Sequence, residues 1–291
     1  MRLGYSHRTM VIGVLGKGGV GKSTVASQLA LYFTTRGKSV LGIDADYNMD
    51  FVFNVTGGVV PESIPYFGTS KKEMKEYVGV DIASLYGEGV LGIAEQKFMF
   101  SPECMDLFTA KYSTLVKENL SMIVCGPETD EVLHGIACGH SLSAPLKLYL
   151  PLLEVGKDSI VILDEKAGAD GANTGIISGC DLVLIVTDPS LHGTKTALQI
   201  AKLAEFFEVP YYFVGNKVHS EADTTYIRSV LGTEKLFVFN NDQSIARAPN
   251  ELSTQNNEFF VNIHNDIESK ANNELRLERS RKKFRAEQEF R

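Results

Sequence analysis

The 291-residue sequence predicts an α/β fold: a single domain on one mostly parallel sheet of seven to eight strands, with helices on both faces. Three observations carry that expectation. Short, continuously apolar runs recur along the chain, helix-length stretches separate most of them, and the first run ends on a cluster of glycines. Continuous apolar runs mark strands buried on both faces, and strands alternating with helices pair in parallel through right-handed crossovers.

Residues 10–15 (MVIGVL) are the first such run. Residues 23–36 read as a helix, with Val25, Leu29 and the Leu31-Tyr32-Phe33 triplet along one side and Gly37 as its stop. Residues 39–43 are the second strand. Five more strands are expected at 121–125, 159–163, 182–187, 211–215 and 235–239, and further helices at 143–155, 193–208 and 222–231. Residues 51–120 are glycine-dotted and irregular, and read as helices and loops. Neither a repeat nor a linker divides the chain. Residues 1–9 carry no period and are expected to be a flexible extension, residues 10–262 the domain, and residues 263–291 a charged C-terminal helix or tail. That tail reads mainly as a solvated helix or frayed end, with a partner-docking helix as the alternative; it has too few apolar residues for a membrane anchor.

Composition narrows the function classes. A chain with 44% hydrophobic and 22% charged residues supports a sizeable core. None of its apolar runs approaches the roughly 20 residues that span a bilayer, and the N-terminus lacks the order of a signal peptide. A soluble, cytoplasmic protein is therefore expected. The net charge of -7 argues against unspecific partnership with nucleic acid or anionic membranes. Cys104, Cys125, Cys138 and Cys180 are too irregularly spaced for a disulfide framework, and Cys125 and Cys180 border apolar runs as small buried residues.

The glycine cluster carries the chemistry. Gly16-Lys17-Gly18-Gly19-Val20-Gly21-Lys22-Ser23 matches G-x-x-x-x-G-K-[ST] between a strand and a helix, the context in which that motif cradles phosphates. Glycines let backbone N–H groups turn toward phosphate oxygens, and the helix N-terminus adds favourable partial charge. Lys22 is expected at the β- and γ-phosphates, the Ser23 hydroxyl on Mg²⁺, and Thr24 at the α-phosphate.

The string KGGVGKST resembles the deviant phosphate loop of the MinD, ParA and nitrogenase-iron-protein group of ATPases. The resemblance implies ATP as ligand. It also implies that Lys17 crosses to the partner's nucleotide in a homodimer, much as an arginine finger does. Asp44-Ala45-Asp46-Tyr47-Asn48-Met49-Asp50 follows the second strand, where carboxylates face the ligand crevice of an open α/β sheet. By resemblance Asp46 orients or deprotonates the attacking water, Asp50 senses Mg²⁺ or its water shell, and Asp44 is structural. The same stretch also reads as an acidic loop capping the next helix. The strand ending at Asp164 has the Walker-B pattern, with Asp164 on the Mg²⁺ shell, and the Gly168 N–H falls where the family reads the γ-phosphate. Lys166 departs from that family and reads as a surface charge or a further phosphate contact. Asn216 matches an asparagine that reads the adenine edge, with Lys217 beside it. Residues 239–242 sit where relatives have a proline-containing loop at the base, and here the proline is absent.

Cys138-Gly139-His140 stands where CooC-type nickel-insertion ATPases carry a Cys-x-Cys pair that binds metal across the dimer. Thiolate and imidazole suit Zn²⁺ or Ni²⁺, and a two-fold dimer would supply four ligands. Packing of Cys138 and helix capping by His140 is the bland alternative. An iron–sulfur cluster fits less well, because no second cysteine follows Asp164 at a matching place. The implied function is a dimeric ATPase serving metallocentre maturation of a client enzyme. A ParA- or MinD-like positioning ATPase and an iron-protein-like reductase are the alternatives.

Overall fold

The computed structural model describes residues 10–79, 98–103, 105–127, 134, 142–156, 158–168, 176–232, 236–267 and 275–282. Eight strands form one sheet in the order β3-β4-β2-β5-β1-β6-β7-β8. They are β1 Met10–Gly16, β2 Ser39–Asp44, β3 Ser113–Lys117, β4 Leu120–Val124, β5 Ser159–Asp164, β6 Leu182–Thr187, β7 Tyr211–Val218 and β8 Leu236–Asn240. Neighbouring strands are parallel except for β3, which pairs antiparallel with β4 at one edge.

The two-residue period of each strand separates two cores. Met10, Ile12 and Val14 of β1, with Ile160 and Ile162 of β5, face α1 (Lys22–Thr35), α2 (Asp50–Thr56) and α8 (Asn257–Ile267). Val11, Leu15, Val161 and Leu163 face the other layer. That layer holds α3 (Lys71–Val78), α4 (Leu107–Tyr112), α6 (Leu191–Phe206) and α7 (Glu221–Leu231). Helix α6 shows why it forms: Ser190 accepts the Gly193 N–H at 3.0 Å as N-cap, and Ala197, Ile200, Ala201 and Ala204 put one apolar stripe on the sheet. Each such burial of a larger aliphatic side chain stabilises by about 1.5–3 kcal/mol.

Two expectations change. The helix expected over 143–155 is a single turn, α5 (Leu146–Tyr149), flanked by turns. Pro145 and Pro151 bracket it, and a proline cannot donate the bond that would continue a helix. The edge strand β3, inside the stretch read as irregular, is only five residues long and only partly buried, so its apolar alternation is weak.

The C-terminal segment also differs from a solvated tail where it is described. Helix α8 crosses residue 262 and buries Phe259, Phe260 and Ile263; Phe260 stacks on Tyr32 with ring centroids 5.1 Å apart. A further helix, α9 (residues 275–282), places Arg276 at 0% exposure, with its guanidinium 2.6 Å from the Asp181 carboxylate just before β6. Arg276 also donates to the carbonyls of Leu150 (3.1 Å) and Leu153. Arg276 and Arg279 direct their charge onto backbone carbonyls and one buried carboxylate, while Glu278 and Lys282 stay exposed.

Candidate functional site

The parallel strands end at one edge of the sheet, and the predicted residues of the phosphate loop gather there. β1 runs into residues 16–21 and α1 begins at Lys22, which is 7% exposed. Gly21 adopts φ 92°, and a Cβ on it would collide with the Asn216 amide, so glycine is required twice over at that turn. Lys17 is half-buried, Gly18 and Gly19 are exposed, and Val20 is buried and anchors the loop.

Asn216 and Lys217 grip this loop from β7. The Asn216 amide donates to the Val20 carbonyl at 2.8 Å, and its oxygen accepts the Lys217 N–H at 2.8 Å. The Lys217 ammonium donates to the Gly19 carbonyl at 2.6 Å. Both residues also border a cavity of about 350 Å³, together with Thr24, Phe53, Phe239 and Asn241. Residues 239–242 hold no proline, and Pro249 lines the same cavity. Asp242 is held by Ser244 and Ser253, whose hydroxyls donate to it at 2.7 Å and keep its carboxyl below the usual range.

β2 and β5 lie in register and end on Asp44 and Asp164, side by side on the face toward α1. Asp44 is satisfied: it accepts the Val52 N–H at 2.9 Å and the Asp46 N–H at 3.3 Å. Burial, then the neighbouring Asp164, raises its pKa well above the carboxylate range. Asp164 has 0% exposure, and neither of its oxygens finds a hydrogen-bond partner among the described residues. Burial pushes it up to about 7 against the opposing pull of Lys22 and Ser23 beside it. Asp46 accepts the Asn48 N–H at 3.2 Å, and Asp50 opens α2 with a pKa raised by partial burial and by Asp46.

An orphaned buried carboxylate next to a lysine and a serine hydroxyl is chemically suited to a hard cation, so the residues present fit Mg²⁺. Among the described residues no cluster of three or more His, Cys, Asp or Glu side chains is arranged to hold a metal. Mg²⁺ held by one carboxylate, one hydroxyl and substrate phosphates does not need one.

The residues after Asp164 hold two findings. Glu165, not singled out from the sequence, is 1% exposed, its Oε2 has no hydrogen-bond partner among the described residues, and burial pushes it up to about 8. Lys166 is 6% exposed, not a surface charge, and its ammonium sits 4.8 Å over the Tyr47 ring. The only sequence signal for either was the Glu-Lys pair directly after the strand-ending aspartate. The Gly168 N–H, expected at the γ-phosphate, donates to the Gly16 carbonyl at 2.9 Å. Cys138 and His140 lie outside the described residues, as do Cys104 and residues 1–9, while Cys125 and Cys180 are buried free thiols.

Comparison with known proteins agrees with this geometry. The model of the CobQ/CobB/MinD/ParA nucleotide-binding domain matches residues 11–255. An uncharacterised ATP-binding protein of Methanocaldococcus jannaschii is 26% identical over 243 residues, covering 82% of this chain and 90% of its own. The carbon monoxide dehydrogenase accessory protein CooC of Rhodospirillum rubrum is 25% identical over 219 residues, covering 75% of this chain and 78% of its own. The septum site-determining protein MinD of Pyrococcus horikoshii, solved with Mg-ADP, superposes with a TM-score of 0.57 at 18% identity over 83% of this chain and 85% of that one. A strand-loop-helix phosphate cradle, strand-end aspartates and this family match converge: the chain belongs to the CobQ/CobB/MinD/ParA nucleotide-binding family and is a P-loop ATPase.

Proposed function

We propose that this ATPase is a homodimeric switch that serves metallocentre maturation. The observation that carries the nucleotide half of the reading is the fully buried Asp164, whose oxygens accept no hydrogen bond within ordinary distance among the described residues, beside Lys22 and Ser23. In this reading Lys22 holds the β- and γ-phosphates, Thr24 the α-phosphate, and the backbone N–H groups of residues 16–21 the phosphate oxygens between them. Ser23 and Asp164, with Asp50 nearby, would hold Mg²⁺, which would supply charge neutralisation to the phosphates. Asp46 positions the attacking water, Gly168 reads the γ-phosphate, and Lys17 completes the site of the partner subunit. The base lies in the cavity that Asn216, Phe239 and Pro249 line.

The cargo half rests on likeness to CooC and on Cys138-x-His140. Zn²⁺ or Ni²⁺ is the metal expected as cargo, held by Cys138 and His140 of both protomers and delivered to a client metalloenzyme. Metal analysis of the purified dimer tests it. About one Zn²⁺ or Ni²⁺ per dimer is expected, the count set by four ligands at a two-fold axis, and lost on Cys138→Ser. Iron with sulfide would point instead to a reductase. Metal-free protein that binds DNA or liposomes only with ATP would sink the maturation reading.

A further inference from the structure

Gln28 stands on α1 among the buried apolar residues Val25, Ala26, Leu29 and Phe33, and is itself 0% exposed. A buried amide is costly unless its hydrogen bonds are met. Gln28 meets them on one distant loop. Its Nε2 donates to the carbonyls of Glu251 at 2.9 Å and Pro249 at 3.2 Å, and its Oε1 accepts the Ser253 N–H at 2.8 Å. The demand is specific: two carbonyls need donors and one N–H needs an acceptor. Lysine and arginine only donate, an ionised glutamate only accepts, and an amide does both.

That loop walls the cavity beside the phosphate cradle. Asn240, Asp242, Ile245 and Pro249 line it, opposite Thr24 and Asn216. The loop is also secured to the end of β8. The Asn256 oxygen accepts the Asn240 N–H at 2.6 Å, and its amide donates to the Ser253 hydroxyl at 3.0 Å. Ser253 in turn donates to Asp242 at 2.7 Å. Gln28 adds a second anchor, and this one is on the helix that begins at Lys22. It lies five residues beyond Ser23, roughly 8 Å along the helix axis. One helix therefore presents Lys22, Ser23 and Thr24 in its first turn and holds the far wall of the cavity by its second.

We infer that Gln28 is a positioning residue for base selectivity: it fixes residues 249–253 against α1, so that the cavity wall stands at a set distance from the bound phosphates and adenine is preferred to guanine. Being fully buried, Gln28 touches no ligand and acts through the loop. This inference rests on the base lying in that cavity, as proposed above.

Calorimetry of the full-length protein with Mg²⁺ tests it, using ADP, GDP and inorganic pyrophosphate as ligands. The native protein should bind ADP more tightly than either of the others. Gln28→Met keeps the length of the side chain and removes its three bonds. It should weaken ADP about tenfold, the scale of one or two lost hydrogen bonds, and lower the preference for ADP over GDP by a similar factor. Pyrophosphate affinity should stay within about twofold, which also reports that the cradle is folded. Gln28→Asn keeps the amide one methylene shorter, so it should show the same pattern at smaller size and serves if Gln28→Met folds poorly. A purely structural amide would lower the unfolding midpoint and leave the ADP-to-GDP preference unchanged. That result, or equal weakening of ADP and pyrophosphate, would overturn the inference. A native protein that binds pyrophosphate as tightly as ADP would instead remove the base from the cavity, and the inference with it.

Discussion

Asp164 and Asp181 are both fully buried carboxylates, at opposite ends of the sheet, and the protein treats them in opposite ways. Asp181 lies where β6 begins. It accepts the Val11 N–H at 2.8 Å and the Arg276 guanidinium at 2.6 Å, and Arg279 stands 3.7 Å from its second oxygen. Asp164 lies where β5 ends and finds no such partners among the described residues. Burial raises the pKa of both; at Asp181 two arginines and the Val11 N–H oppose that shift, while at Asp164 Lys22 and Ser23 oppose it and the carboxylates of Asp46 and Asp50 add to it. A buried carboxylate with such partners joins chain segments, even though one Asp181 oxygen accepts no hydrogen bond among the described residues; one without them is chemically suited to a cation. The difference teaches which end of this sheet ties chain segments together and which end offers the candidate site.

The comparison can be broken most sharply at Lys17, on the chemical end. Lys17→Ala should lower ATP hydrolysis by about 10³-fold, the scale of a lost arginine finger, with nucleotide affinity and unfolding midpoint nearly unchanged. Normal turnover would remove the second lysine from the mechanism. Arg276→Ala probes the other end. It should cost about 3–5 kcal/mol in urea denaturation by leaving Asp181 buried without its strongest partner, while turnover per folded molecule is retained. A loss below about 1 kcal/mol, the range of a surface pair, would show that α9 contributes little to the fold.

Asparagine in place of each aspartate sharpens the contrast at smaller scale. Asp164→Asn should stabilise the nucleotide-free protein by on the order of 1–3 kcal/mol, since a buried carboxylate whose burial cost Lys22 and Ser23 offset only in part is removed. It should also abolish the gain in nucleotide affinity that Mg²⁺ provides. Asp181→Asn should destabilise instead. Calorimetry of the two variants with and without Mg²⁺ gives the signs, and equal signs would erase the distinction between the ends.

Much of this was legible in the residues alone because the signals are local. Seven of the eight strands are continuous apolar runs. The phosphate loop is one unbroken octapeptide, and the two-residue period of β2 and β5 places Asp44 and Asp164 on one face. β3 was not legible, because a short, partly buried edge strand has little apolar contrast. The 143–155 helix was over-read, because a stretch buried on all sides has no polar face to reveal its period.

What the sequence by itself determined is the cradle, the strand-end carboxylates and the family they belong to. Only the tertiary structure decided what those residues touch. Asn216 and Lys217 grip the loop across 196 and 198 residues of chain, and Arg276 reaches Asp181 across 95. Pro249 enters the cavity, and Lys166 settles over Tyr47. Local patterns depend on residues one to four apart, whereas these pairs depend on the strand order 3-4-2-5-1-6-7-8, which no neighbour in the chain encodes.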